Sequence, residues 1–191
     1  MGLLSRRAII RKLEATELVI TPAPRDVDYD SDAVDVQLSG KFYEWVPPPV
    51  GATISIALWR RDAERFSYKA FSKQYLREVP PDNAGIITLR PHSFYLADLE
   101  QHTSLPPDLA MHVEGKSSIA RLGVLVHLTA PHAHAGWNGR LTLEIYNLGP
   151  FNIEMKPGMT IAQLTFWTVD EPEEADSLPD GQFDNQQSAR G

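Results

Sequence analysis

The chain has no cysteine among its 191 residues. That excludes disulfides, thiol nucleophiles and every zinc site built on thiolates, and it fits a reducing compartment. Long apolar runs are missing too: nothing approaches the ~20 residues that span a bilayer. The first residues carry Arg6 and Arg7 with no apolar stretch behind them, unlike a secretory signal. Arg6 also occupies the position where a myristoylation signal needs Ser or Thr. The expectation is a cytoplasmic protein without a membrane role. Net charge is scarce outside one end. Of the formal −7, −6 lies from Asp170 onward, where seven acids face only Arg190. The rest is close to neutral and the tail is acidic, so a general nucleic-acid-binding role has little support. A pocket for one small anion needs only a few local cations.

What is present points to a β-rich domain. Fifteen prolines and twelve glycines imply many turns and short elements. Residues 5–15 read as a short amphipathic helix, with Ile9, Ile10 and Leu13 on one side and Ser5 placed to cap it. Residues 21–32 are turn-rich. Alternation over 33–38 predicts a half-buried strand, and 41–46 a second one before the Pro47–Pro49 break. Residues 53–81 read as an irregular excursion holding a strand or short helix. Beyond Gly85, strands are expected at 86–89, 93–99, 110–113, 122–129, 141–147, 153–155 and 160–169, each bounded by Gly, Pro or Asn. Such spacing means a barrel, sandwich or jelly roll. The division is 1–169 as one β domain and 170–191 as an acidic tail, either an arm or a disordered end.

Three places carry candidate chemistry. Gly115, Lys116, Ser117, Ser118, Ile119, Ala120 and Arg121 resemble a phosphate cradle. Glycine admits an anion close to the backbone, the hydroxyls and N–H groups donate, and Lys116 and Arg121 bring charge. The same residues also suit an ordinary helix start capped by Ser117 or Ser118. On segment 136–144, a glycine turn leads into a strand on which Thr142 and Glu144 share a face opposite Leu141 and Leu143. A pocket on that face would desolvate Glu144 and make it a proton shuttle; open solvent would make it an ordinary strand residue. His127, His132 and His134 form the third group, a weak metal motif without carboxylate or cysteine partners.

Together these residues resemble the dCTP deaminase family of the dCTP deaminase / dUTPase superfamily. Its signature runs Gly-Arg/Lys-Ser-Ser-x-x-Arg-Leu-Gly, then Thr-Ala, then Gly-Trp/Phe-x-Gly, then a strand ending in Leu-Glu. This sequence matches at 115–123, 129–130, 136–139 and 143–144. The likeness extends to 3–5, 32–38, 89–96 and 156–159, and is weakest over 53–81. It implies a mainly β, distorted jelly-roll β-barrel (dUTPase-like), with a short N-terminal helix and a C-terminal arm, assembled as a homotrimer with shared active sites. It implies hydrolysis of dCTP to dUTP and ammonia, supplying dUTP for thymidylate synthesis, with Mg2+ on the triphosphate and no zinc. The absence of cysteine agrees, because zinc deaminases need thiolate ligands.

By the same resemblance Glu144 is the proton shuttle, and the backbone at Ala130 helps hold the attacking water and the base. Lys116, Ser117, Ser118 and Arg121, with Ile119 and Ala120 between them, hold phosphates. Thr142 and Leu143 line the nucleoside pocket, Gln163 and Gln186 are further nucleotide contacts, and 181–187 resembles a closing lid. The chain departs from the family pattern at several positions. His134 replaces an Asp that contacts the nucleoside and whose dUTPase counterpart activates water, which argues against diphosphate cleavage. His132 stands where Arg is frequent, Gln182 where Lys is common, and Phe183 where Tyr is common. Two other readings stand beside deamination: a related dUTPase-like nucleotide pyrophosphatase, and a nucleotide-binding homologue with weakened catalysis.

Overall fold

The computed structural model describes residues 2–47, 49–51, 53, 67–172, 183 and 185–190. Residues 54–66 of the excursion expected over 53–81, and Gly181, Gln182 and Asp184 of the expected lid, lie outside the described residues.

The chain enters through α1 (Arg6–Glu14) and β1 (Val19–Thr21), then a single 3-10 turn at Asp26–Asp28. Ile9 is fully buried, so the helix docks by the apolar face expected of it. Ser5 is the N-cap residue, but its side chain makes no cap bond. The helix is fixed instead by long-range contacts. Arg6 N donates to Ser31 O at 2.7 Å, and Lys12 Nζ reaches Asp108 at 3.0 Å.

The central strand is β2 (Val34–Trp45), whose Val34, Val36, Leu38 and Phe42 are all fully buried. The two expected strands at 33–38 and 41–46 are one strand with a register shift between Leu38 and Phe42, where Gly40 has φ +90°. After it come α2 (Tyr68–Tyr75), β3 (Leu76–Val79), β4 (Ile87–Leu89), β5 (Phe94–Ser104) and β6 (Leu109–Gly115). Then follow α3 (Ser117–Ala120), β7 (Val124–Leu125), β8 (His132–Ala133), β9 (Asn138–Asn147), β10 (Ile153–Met155) and β11 (Thr160–Thr168).

One sheet runs in the order β7, β9, β5, β2, β11, β6, β8, with β1 added to β5 and β3 to β2. A separate ribbon pairs β4 with β10. All pairs are antiparallel. Strands β6 and β7 lie near opposite ends of the order, yet only residues 116–123 connect them. So short a link forces the sheet to curl on itself, giving the jelly-roll type of fold expected. Inside the curl, Phe42, Phe166, Leu99, Met111, Leu143 and Ile145 are buried from alternate positions of β2, β11, β5, β6 and β9. Among the described residues no helix is long and apolar enough to cross a membrane.

Candidate active site

The candidate side chains fall into two groups, on different parts of the sheet. The first forms where β6 ends. Lys116 precedes α3, and its ammonium lies 2.6 Å from Asp35 Oδ1 and 3.5 Å from Gln163 Oε1. Gln163 of β11 stands directly opposite Asp35 of β2 in the ladder. Lys116 therefore sits across a cross-strand pair, and the structure brings together two residues expected to meet the nucleotide. The four residues of α3 begin at Ser117, with Lys116 as N-cap residue and no side-chain cap bond. Neither serine caps the helix, and Ser117, Ser118, Ala120 and Arg121 are exposed.

The loop after α3 is held by a close backbone approach. Leu148 N donates to Gly123 O at 2.7 Å. A Cβ on Gly123 would lie 2.5 Å from Gly149 N, and one on Gly149 would lie 2.0 Å from Leu122 O. Only two glycines permit that crossing. It ties the end of the cradle to the turn that follows β9.

The second group lies on β9 and its neighbours. Leu143 and Ile145 point into the core, and Thr142 and Glu144 share the opposite, half-buried face. The predicted face division holds, and it means that a ligand on the Thr142 side meets Leu143 only through its backbone. Glu144 Oε2 accepts from Leu128 N–H at 3.3 Å. Burial raises the Glu144 pKa above the usual glutamate value, against smaller lowering effects of that hydrogen bond and of His127 nearby. This is the direction a proton shuttle requires. His127 Nδ1 is buried and has no partner among the described residues.

Thr142 Oγ1 donates to Asp98 Oδ1 at 2.8 Å and accepts from Gln186 Nε2 at 2.8 Å. Asp98, on β5 directly opposite Thr142, is only 1% exposed, and burial raises its pKa. Neither Asp98 nor its partner Tyr43 stood out in the sequence. The signal was there: a charged residue interrupts the apolar run Leu96, Ala97, Leu99, and a buried charge needs partners.

The remaining candidates are spread around these groups. Ala130 is exposed, on the segment joining β7 to β8. His134 is exposed and belongs to a stack, its ring centroid 4.8 Å from His132, which lies 5.0 Å from His112 on the paired strand. Burial, and then the charges of His134 and His112, lower the His132 pKa. Among the described residues, no three or more His, Asp or Glu side chains are grouped as a metal would need. No hydrogen bond or ion pair between described residues joins the 117–121 cradle to Thr142 or Glu144.

A family model described as dCTP deaminase-like matches residues 3–169. The chain belongs to the dCTP deaminase-like family. Among curated relatives, a dCTP deaminase of Rhodospirillum rubrum is 34% identical over 173 residues, covering 88% of this chain and 84% of the relative. That of Haloarcula marismortui is 32% identical over 171 residues, covering 89% and 82%. A dCTP deaminase of Methanobrevibacter smithii, designated dUMP-forming, is 33% identical over 178 residues, covering 91% and 84%. The solved 2'-deoxycytidine 5'-triphosphate deaminase of Agrobacterium tumefaciens superposes with TM-score 0.62 at 22% identity. That match covers 86% of this chain and 48% of the other, and it is a likeness of fold. The dCTP deaminase-like region takes in both groups of candidate side chains, apart from Gln186.

Proposed function

We propose that this chain hydrolyses dCTP to dUTP and ammonia without zinc. The observation that carries the reading is Glu144, a carboxylate with a raised pKa on the half-buried face of β9 beside Thr142. As carboxylate, Glu144 takes a proton from water while that oxygen bonds to C4 of the cytosine. It then passes that proton to N3, takes the proton of the new C4 hydroxyl and hands it to the exocyclic nitrogen; the C4–N bond breaks, and ammonia leaves with the uracil carbonyl in place. The backbone at Ala130 helps hold the water and the base. Ser117, Ser118 and Arg121, with the N–H groups of Ile119 and Ala120, receive the phosphates. Lys116 moves to them from Asp35, and Gln163 and Gln186 add contacts. His134 stands where it meets the nucleoside. Mg2+ arrives on the triphosphate.

The active protein is a homotrimer with shared sites, acting in the cytoplasm. The support is the separation of cradle and shuttle within one chain, together with an apolar surface at the sheet edge. Leu122, Leu125, Leu128, Leu148 and Phe151 are all exposed around β7. A monomer gains nothing from that surface, whereas an interface does. The domain is 1–169, and the tail 170–191 completes the site.

Incubation with dCTP tests the reading. Ammonia and dUTP in equal amounts are the expected products. Inorganic diphosphate with dUMP would mean the dUMP-forming course, which His134 disfavours. Nucleotide binding without ammonia would mean a homologue that has lost turnover.

A further inference from the structure

Asp98 is a buried carboxylate that the reaction does not use, and its neighbours come from two other strands and the C-terminal segment. Its Oδ1 accepts from Thr142 Oγ1 at 2.8 Å and its Oδ2 from the Tyr43 hydroxyl at 3.1 Å. The backbone N–H of Ala189 faces it and works against the rise of its pKa. Ala189 is 2% exposed, although it lies in an acidic, polar tail.

The rest of that tail segment is held by the barrel. Arg140 N donates to Gln186 O at 2.7 Å, and Gln186 Nε2 donates to Arg140 O at 3.1 Å. Gly139 has no side chain where a Cβ would meet Gln186 O at 3.0 Å. The Tyr68 hydroxyl donates to Ala189 O at 2.7 Å, and Arg190 Nη2 donates to Leu76 O at 3.1 Å.

We propose that Asp98 is a positioning residue that fixes segment 185–190 beside Thr142 and sets the orientation in which Gln186 is offered to the nucleotide. This rests on the reading of the Thr142–Glu144 face as the nucleotide pocket. An ionised carboxylate only accepts, so the single hydroxyl proton of Thr142 is spent on Asp98. Toward Gln186 the hydroxyl then only accepts, so the amide must present its NH2 end there. Both of its N–H groups are taken, by Thr142 and by Arg140 O, and its oxygen is left to receive a donor. Asp98 itself touches no substrate. An asparagine at this position supplies its own donor to Thr142, frees the hydroxyl proton and removes that instruction.

The test uses the full chain with Asp98→Asn, a deletion of 186–191, and the two combined. Hydrogen–deuterium exchange of the peptide over 185–190 should quicken by about tenfold in Asp98→Asn, the loss of one charge-assisted hydrogen bond. The KM for dCTP should rise by a similar factor while kcat changes much less. In the deletion background the same substitution should add nothing further. Unchanged exchange would overturn the proposal, and so would a KM effect that persists after deletion, which would place Asp98's role within the barrel alone. If Asp98→Asn does not fold, Tyr68→Phe, which cuts the bond to Ala189 from the other side, should raise exchange in the same peptide. The exchange measurement needs no turnover, so it separates failure of this proposal from failure of the deaminase reading.

Discussion

At the scale of single residues, position on a strand decides what a carboxylate does. Glu144, Asp98 and Asp28 are all partly or fully withdrawn from water, yet their protons answer to different neighbours. For Glu144 burial dominates and the pKa rises. The base form is therefore lost as pH falls, at a higher pH than the ordinary glutamate value of about 4.3. The acid limb of kcat/KM against pH should lie above that range, as a pH–rate profile will record. Glu144→Gln should lower ammonia release at least about 100-fold while nucleotide binding, measured by calorimetry, persists. Retained turnover would remove Glu144 from the chemistry.

Asp28 behaves in the opposite sense. The Arg25 side chain, bonded to it at 2.7 Å and 2.9 Å, lowers its pKa against the effect of burial. A depressed carboxyl stabilises the fold above its unfolded value, and the contribution vanishes as pH falls through the folded value. Asp28→Asn should therefore destabilise the protein at pH 7 by about 1–2 kcal/mol and matter progressively less on acidification, as urea midpoints across pH will show. An equal loss at every pH would mean that shape, not charge, is what Asp28 supplies.

At the scale of elements, the alternating patterns of β2 and β9 were legible because each strand buries one face. Val34, Val36 and Leu38, and Leu143 and Ile145, sit in the core as alternation requires. Other elements were hidden by tertiary causes. Segment 122–129 reads as a full strand, but only Val124–Leu125 pairs with β9. By Leu128 the backbone N–H has turned to the Glu144 side chain. β5 runs five residues past its expected end because polar Gln101 and Thr103 are buried by cross-strand partners, Gln101 by Gln37. α2 and β3 are a short helix and strand of the kind expected within 53–81, at bounds the pattern did not fix, and β1 preceded a stretch read as turns. The tail looked solvated by composition. Its last residues dock because backbone groups, which composition does not weigh, find Tyr68 and Arg140. The candidate site was legible where side-chain type alone defines the chemistry, as at Glu144, and not where Asp98 needs a partner brought from another strand.

The crossing of Gly123 and Gly149 gives a prediction at this scale. Gly149→Ala places a methyl 2.0 Å from Leu122 O, so the loop after α3 has to move. A loss of about 1–3 kcal/mol in stability is expected. Because the loop carries Arg121, the KM for dCTP should rise in the same variant. A KM left at the wild-type value would uncouple the crossing from the cradle.

At the scale of the whole molecule, the proposed cradle and the proposed shuttle make no bond to each other among the described residues. Subunit mixing tests whether a neighbour completes the site. Arg121→Ala and Glu144→Gln chains, each inactive alone, should regain about a quarter of wild-type activity when refolded together in equal amounts, since random assembly rebuilds one site in four. Recovery of none would mean that each chain is complete by itself. Light scattering should give three times the chain mass of 21.4 kDa.

The pairing of β11 with β2 has a further consequence. Leu164 lies against Val34, and Leu3 bridges to Trp167, so the earliest and latest parts of the barrel are neighbours. A growing chain on the ribosome cannot place its central strand between both partners until some 160 residues have emerged. Until then half of β2 presents an unpaired edge. Folding is therefore a late, non-local event on the slow side of the range for small domains. Until β11 arrives, that edge is a template on which another chain can pair wrongly.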